Sequence, residues 1–238
     1  MKKALIIGAS SGIGKALAIT LAKKNYEVGL MARRVELLHE LQKELPIKTT
    51  VDYLDISQPE DAIERFHKMV LQMGGVDVVI INSGIRLPNS ELDWQKERQT
   101  LQVNVIGFCA LADAAYHHFE NQGHGQLVGI SSIAALVGNH IAPAYNASKA
   151  CISTYMEGLR KKAFREGLPI TVTDIKPGYV DTDMVTAKKA FWIASASEAA
   201  EQITATIENK KSYAYITHRW RLIGWLLKIL PNWVYYRY

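Results

Sequence analysis

Cysteine is nearly absent from this chain. Only Cys109 and Cys151 occur in 238 residues, too few for a disulfide framework, and neither has a second Cys or a His at ligand spacing. Both are therefore expected to be reduced, buried thiols in a reducing, cytoplasmic setting, and no metal site is expected. Glycine and proline are also modest, at 16 and 7 residues, which excludes collagen-like and low-complexity chains. Long apolar runs are missing as well. No stretch of about 18 uncharged apolar residues occurs that could span a bilayer. The run Ala4-Leu5-Ile6-Ile7 behind two lysines is broken by Gly8 before it reaches the length of an exported segment.

Acidic residues disappear after position 208. The remainder holds six bases (Lys210, Lys211, Arg219, Arg221, Lys228, Arg237), while residues 1–208 carry 22 bases against 23 acids. The formal net charge of +5 thus belongs to the tail. The body is neutral, and a nucleic-acid partner is not expected.

With 48% hydrophobic residues, the chain is long enough for one sizeable core and short for two ordinary domains. Strand-like runs at 3–7, 27–31, 49–52, 77–81, 126–131, 170–175 and 213–216 alternate with helical patterns. Those patterns cover 13–24, 35–44, 59–72, about 93–119, 144–166 and 196–208. Strands joined by helices of ten or more residues run parallel, and a parallel sheet is covered on both faces. A doubly wound α/β sheet of the Rossmann type is predicted, with one domain over 1–217 and an amphipathic tail over 218–238.

Directly after the first strand stands Gly8-Ala9-Ser10-Ser11-Gly12-Ile13-Gly14. Gly8 permits a sharp turn, Gly12 lets the backbone approach a pyrophosphate, and Gly14 allows close helix packing. The following helix start offers free N–H groups and a positive dipole. Its G-x-x-x-G-x-G spacing resembles the short-chain dehydrogenase/reductase family in its compact, single-domain branch. The stretch Ile81-Asn82-Ser83-Gly84 is similar to that family's Asn-rich turn, with Ile81 for the usual Asn and Ser83 for the usual Ala; Ile7 replaces the usual Thr.

Tyr145-Asn146-Ala147-Ser148-Lys149 puts a phenol and an ammonium on one helix face. Among 11 tyrosines and 18 lysines, such a pair arises by chance about once. Ser132 at the end of the preceding strand and Asn104 in a helix-like stretch give it weight, because together they resemble the family's Asn-Ser-Tyr-Lys tetrad. The resemblance implies carbonyl reduction or alcohol oxidation, with Tyr145 as proton donor and Lys149 lowering its pKa while holding the nicotinamide ribose. Ser132 would bond the carbonyl oxygen, and Asn104 would hold a water that links Lys149 to solvent. It also implies that Asp55-Ile56 meets the adenine. In Pro177-Gly178-Tyr179-Val180-Asp181-Thr182, the Val180 backbone and the Thr182 hydroxyl would meet the nicotinamide side.

After the second strand, where an acid would bind the ribose hydroxyl of NAD, the chain reads Ala32-Arg33-Arg34. An Arg there accommodates a 2′-phosphate, so NADP(H) is favoured over NAD(H). The apolar segment 184–194 and Ile133, Leu136 and Val137 suggest a hydrophobic pocket under a short lid. No Arg stands out as a carboxylate clamp, so a lipophilic ketone or aldehyde is expected rather than a small acid. A homo-oligomer is expected. Residues 213–238 hold eight of the 21 aromatic residues, and Trp220, Ile223, Leu227 and Leu230 recur at helical spacing. This tail reads either as a membrane-interfacial helix or as a helix docked on its own domain. The competing function is a catalytically silent NADP-binding sensor or scaffold.

Overall fold

The computed structural model of the chain describes residues 1–182, 192–217 and 219–229. Seven parallel strands form one sheet in the order β3-β2-β1-β4-β5-β6-β7. They are β1 (Lys3–Ile7), β2 (Glu27–Ala32), β3 (Thr49–Tyr53), β4 (Val78–Ile81), β5 (Gly125–Ile130), β6 (Ile170–Pro177) and β7 (Tyr213–Ile216). The central strands read as unbroken aliphatic runs because both of their faces are covered. Every residue of Val78–Ile81 is buried, whereas edge strand β3 is TTVDY and half-exposed.

Helices α1 (Gly12–Lys23), α2 (Val35–Glu44) and α7 (Ala196–Glu208) contribute to the core on one face of the sheet. Helices α3 (Pro59–Met73), α5 (Phe108–Gln122) and α6 (Pro143–Arg165) contribute to the core on the other. Each buries one stripe. In α1 the stripe is Gly14, Leu17, Ala18, Leu21 and Ala22, three to four residues apart as one helix face requires. Local signals set the ends: Pro59 and Pro143 open α3 and α6, and Gly74 closes α3 in the left-handed region at φ 65°.

One predicted helix is divided. The stretch foreseen over about 93–119 is α4 (Trp94–Leu101), a π-helical turn at Gln102–Gly107 and then α5. Close packing requires the glycine in this turn, since a Cβ on Gly107 would lie 1.9 Å from the Ile56 carbonyl oxygen. Asn104 is buried within it, which apolar periodicity cannot reveal. The cysteines differ from expectation too. Cys109 on α5 and Cys151 on α6 are free and only half-buried, and they neighbour each other, so Cys151 joins burial in pushing the Cys109 thiol up to about 11.

The chain winds outward from β1 to β3, then crosses to β4 and winds the other way. The crevice beyond the carboxyl ends of β1 and β4 is the switch point at which such sheets bind ligands. Beyond β7, α8 (Trp220–Ile229) returns over that same end. No helix among the described residues is long and apolar enough to cross a membrane.

Candidate active site

At the switch point Ile7 is in register with Ile81 on one side and Met31 on the other, so the loops after β1, β2 and β4 leave the sheet side by side. Gly8 adopts φ 93°, and a Cβ there would lie 2.6 Å from the Ser83 nitrogen. Asn82 closes the turn by donating from Nδ2 to the Gly8 carbonyl at 2.8 Å. Gly14 is needed for closeness, because a Cβ on it would come within 2.0 Å of that carbonyl. The first N–H groups of α1 have no partner within the helix. They open into a cavity of about 980 Å³ that runs across the carboxyl edge of the sheet.

The cavity collects nearly every residue singled out in the sequence. The end at the loops after β1, β2 and β3 is lined by Gly8, Ser10, Ser11, Gly12 and Ile13, with Arg33, Arg34, Asp55 and Ile56. Asn82, Ser83 and Gly84 lie in the middle, Ser132, Tyr145, Lys149, Pro177, Gly178 and Val180 line the rest, and Thr182 reaches back to Gly12, where a Cβ would lie 3.0 Å from its methyl group. Gly14 and Asn104 stand behind the wall and act through their neighbours. Part of the foreseen lid, 184–191, falls outside the described residues.

Arg34 donates to the hydroxyls of Ser10 at 3.1 Å and Ser11 at 2.8 Å. That pair of bonds holds a guanidinium across the phosphate loop. Arg33 is exposed and makes no side-chain bond among the described residues. Asp55 accepts from the Ser57 amide at 2.9 Å and its hydroxyl at 2.8 Å, a local turn that fixes the carboxylate at the cavity wall.

At the far end, Ser132 leads a short 3-10 turn (Ile133–Leu136) and accepts from the Ala134 amide at 3.1 Å. Asn146 holds that turn by donating to the Ala134 and Val137 carbonyls at 3.1 and 2.7 Å. Ser132 also lies within hydrogen-bonding reach of the Tyr145 phenol. Burial pushes that phenol above its ordinary value, and Ser132 and the Arg86 guanidinium pull it part of the way back. Burial pushes the Lys149 ammonium down to about 8, opposed by the Asp174 carboxylate.

The structure shows the protein contacts of two residues with expected roles. Lys149 Nζ donates to the Ile130 carbonyl at 2.9 Å and lies over the Tyr145 ring, 5.8 Å from its centroid. The Asn104 side chain is engaged by protein atoms. Its Oδ1 accepts from the Ile85 amide at 2.8 Å, and its Nδ2 donates to the Ile85 carbonyl at 2.8 Å and to Ser148 Oγ at 3.0 Å. Asn104 thus positions the turn after β4.

Sequence reasoning missed three contributors. Arg86 lines the cavity, a basic side chain the sequence reading did not single out; its signal was its place just beyond the Asn-Ser-Gly turn. Asp174 is buried beneath Ser131, Ser153 and Lys176, and an acid inside an apolar strand was its signal. Trp220 walls the pocket from α8: a Cβ on Gly178 would lie 2.0 Å from its indole Nε1.

Comparison with known proteins agrees with this geometry. The family model described as short chain dehydrogenase matches residues 2–192. This chain belongs to the short-chain dehydrogenase family. Uncharacterized oxidoreductases of Myxococcus xanthus and Mycobacterium tuberculosis are 32% and 33% identical to it. Each alignment covers 97% of this chain, with 93% and 94% of the respective relatives. An alcohol dehydrogenase from the archaeon Thermococcus sibiricus, solved with 5-hydroxy-NADP, superposes with a TM-score of 0.78 at 25% identity. That match covers 90% of this chain and 95% of the other. The fold is shared with a short-chain dehydrogenase of Sphingobium yanoikuyae in complex with NADPH, at a TM-score of 0.81, 19% identity and 97% of both chains. The short-chain dehydrogenase described here is accordingly an NAD(P)-dependent oxidoreductase.

Proposed function

We propose that this protein is an NADP(H)-dependent reductase of carbonyl groups on apolar substrates, acting reversibly on the secondary alcohols. The observation that carries the reading is the joint placement of Ser132, Tyr145 and Lys149 in the cavity that also holds the glycine loop and Arg33. The residues fit a dinucleotide. Free helix N–H groups and the Arg34-bridged serines suit a pyrophosphate, and Arg33 suits a 2′-phosphate where NAD would require an acid.

When bound, the reduced nicotinamide supplies the hydride. The protein supplies the rest. Ser132 bonds the substrate oxygen and stabilises the charge that develops there. Tyr145, held protonated by burial, gives its proton to that oxygen, a protonation state that favours reduction near neutral pH. Lys149, still mostly charged at neutral pH, anchors the ribose hydroxyls beneath the ring. Leu87, Ile133, Val137, Tyr179 and Trp220 make the surrounding wall largely apolar.

The tail is part of this proposal. Trp220 is buried while Leu222 is 70% and Leu226 42% exposed, so α8 docks one face and turns an apolar face outward. We assign that outer face to an anionic membrane surface, in keeping with the six cations and no acid after position 208.

The test is a panel of carbonyl compounds followed by nicotinamide absorbance with both cofactors. Turnover with NADPH, lost in Tyr145→Phe, supports the reading. Tight NADPH binding without turnover across the panel would make the protein a sensor instead.

A further inference from the structure

The catalytic half of the cavity contains a cation that hydride transfer does not need. Arg86 follows the turn after β4, and its position is fixed from both sides. Ahead of it, Asn104 clamps both the amide and the carbonyl of Ile85 at 2.8 Å. Behind it, buried Asn89 accepts from the Asp93 amide at 2.8 Å and donates to the Asp93 carbonyl at 3.0 Å, while its own amide donates to the Ile141 carbonyl at 2.6 Å. A segment pinned at both ends presents a side chain more reproducibly than a loose loop.

Arg86 is half-buried and lines the cavity together with Tyr145 and Lys149. Among the described residues it makes no hydrogen bond and no ion pair. Among the described residues lining the cavity, the one carboxylate is Asp55, at the end near the glycine loop and Arg33. Partly desolvating a guanidinium without a counter-ion costs free energy, and it is retained where a ligand supplies the anion. A planar fork of donors matches a carboxylate. The remaining surface here is apolar, formed by Leu87, Ile133, Val137, Ile141, Tyr179 and Trp220.

We propose that Arg86 is the anion-binding subsite of this enzyme, and that its substrate is an oxo acid: a carbonyl close to a carboxylate, carried on an apolar body. The inference rests on the reductase reading and narrows it from a lipophilic carbonyl compound to an amphipathic one. It places the carboxylate at Arg86, the carbonyl oxygen between Ser132 and Tyr145, and the hydrocarbon against Trp220 and its neighbours.

The experiment compares medium-chain oxo acids with their methyl esters, which keep the carbonyl and the chain and lose the charge. Equilibrium binding to the NADP⁺-loaded protein is measured by titration calorimetry, and kcat/KM with NADPH is measured in parallel, for the wild type, Arg86→Met and Arg86→Lys. A charge-assisted hydrogen bond implies a roughly ten- to hundredfold loss of oxo-acid affinity in Arg86→Met. Ester affinity should be nearly unaffected, Arg86→Lys should recover part of the loss of oxo-acid affinity, NADPH affinity should stay unchanged, and the melting temperature should not fall. Binding of acid and ester that is equal, absent, or insensitive to Arg86→Met would overturn the subsite. Because the Arg86 charge also bears on the Tyr145 phenol, kcat/KM should fall somewhat for both compounds in Arg86→Met but much further for the oxo acid; equal falls would overturn the subsite. Selective oxo-acid binding without any turnover would leave the subsite standing and defeat the reductase reading.

Discussion

At the residue scale, the site works by opposed burial effects on two neighbours. Burial raises the Tyr145 phenol and lowers the Lys149 ammonium, because each charged form loses hydration. Tyr145→Phe should therefore abolish turnover while leaving NADPH affinity nearly intact, since the ring still packs and only the transferable proton is gone. Stability should report on Lys149. Its pKa falls from 10.5 to about 8 on folding, so the unfolded chain binds more protons between those values. The group's cost is full below about pH 8, on the order of 3 kcal/mol, and vanishes as pH rises to 10.5. Lys149→Met should then raise the melting temperature most below pH 8, with the gain shrinking towards pH 10.5. Titrations common to both proteins, including that of Tyr145, cancel in this comparison. A difference that stays flat across that window would show that Lys149 is not depressed. Arg33→Ala is a separate test, of cofactor choice. Losing one charged phosphate contact should weaken NADPH by roughly ten- to hundredfold and leave NADH nearly unchanged, as read by fluorescence titration.

At the scale of elements, what could be read from sequence followed from how locally each feature is encoded. The all-buried strands, the stripe of α1 and the proline and glycine ends of α3 are written in short windows, so the parallel sheet and its helices were legible. The phosphate loop and the Tyr145/Lys149 pair were legible because spacing on one element fixes their geometry. The π-turn at Gln102–Gly107 was not, since the contact that keeps Gly107 free of a side chain comes from Ile56 on a distant loop. Arg86 and Asp174 were missed for the same reason: each gains meaning from partners 40 or more positions away, such as Tyr145 and Ser131. Asp174 sits on β6 and accepts from Ser131 at 2.5 Å and Ser153 at 2.7 Å, with Lys176 alongside. This network lies directly beneath the strand end that carries Ser132. Asp174→Ala should cost about 3–5 kcal/mol by denaturant unfolding, because it leaves the buried Lys176 ammonium without its counter-charge. Adding Lys176→Met should restore much of the stability, whereas a double variant no better than the single would mean that the loss arises from packing alone.

At the scale of the whole molecule, α8 joins the substrate pocket to the outer surface. Its inner side is committed to the domain: Trp220 stacks edge-on with Tyr179 and Trp192 at centroid distances of 5.5 and 6.1 Å. A Cβ on Gly224 would lie 2.9 Å from Tyr215. Its outer side carries Leu222 and Leu226. The two sides can be separated by experiment because they predict different losses. Leu222→Glu with Leu226→Glu should leave the melting temperature and turnover of a water-soluble carbonyl unchanged, while abolishing sedimentation with anionic vesicles. In the wild type that sedimentation should weaken with added salt, as expected if tail cations near the surface contribute about 1 kcal/mol each. Removal of residues 219–238 should do more. It strips Trp220 from the pocket wall, so it should also lower the melting temperature and raise KM for apolar substrates. Should the wild type stay in the supernatant with anionic vesicles even at low salt, the outer face has no membrane role. The effects of truncation on stability and KM would then belong wholly to the docked side of α8.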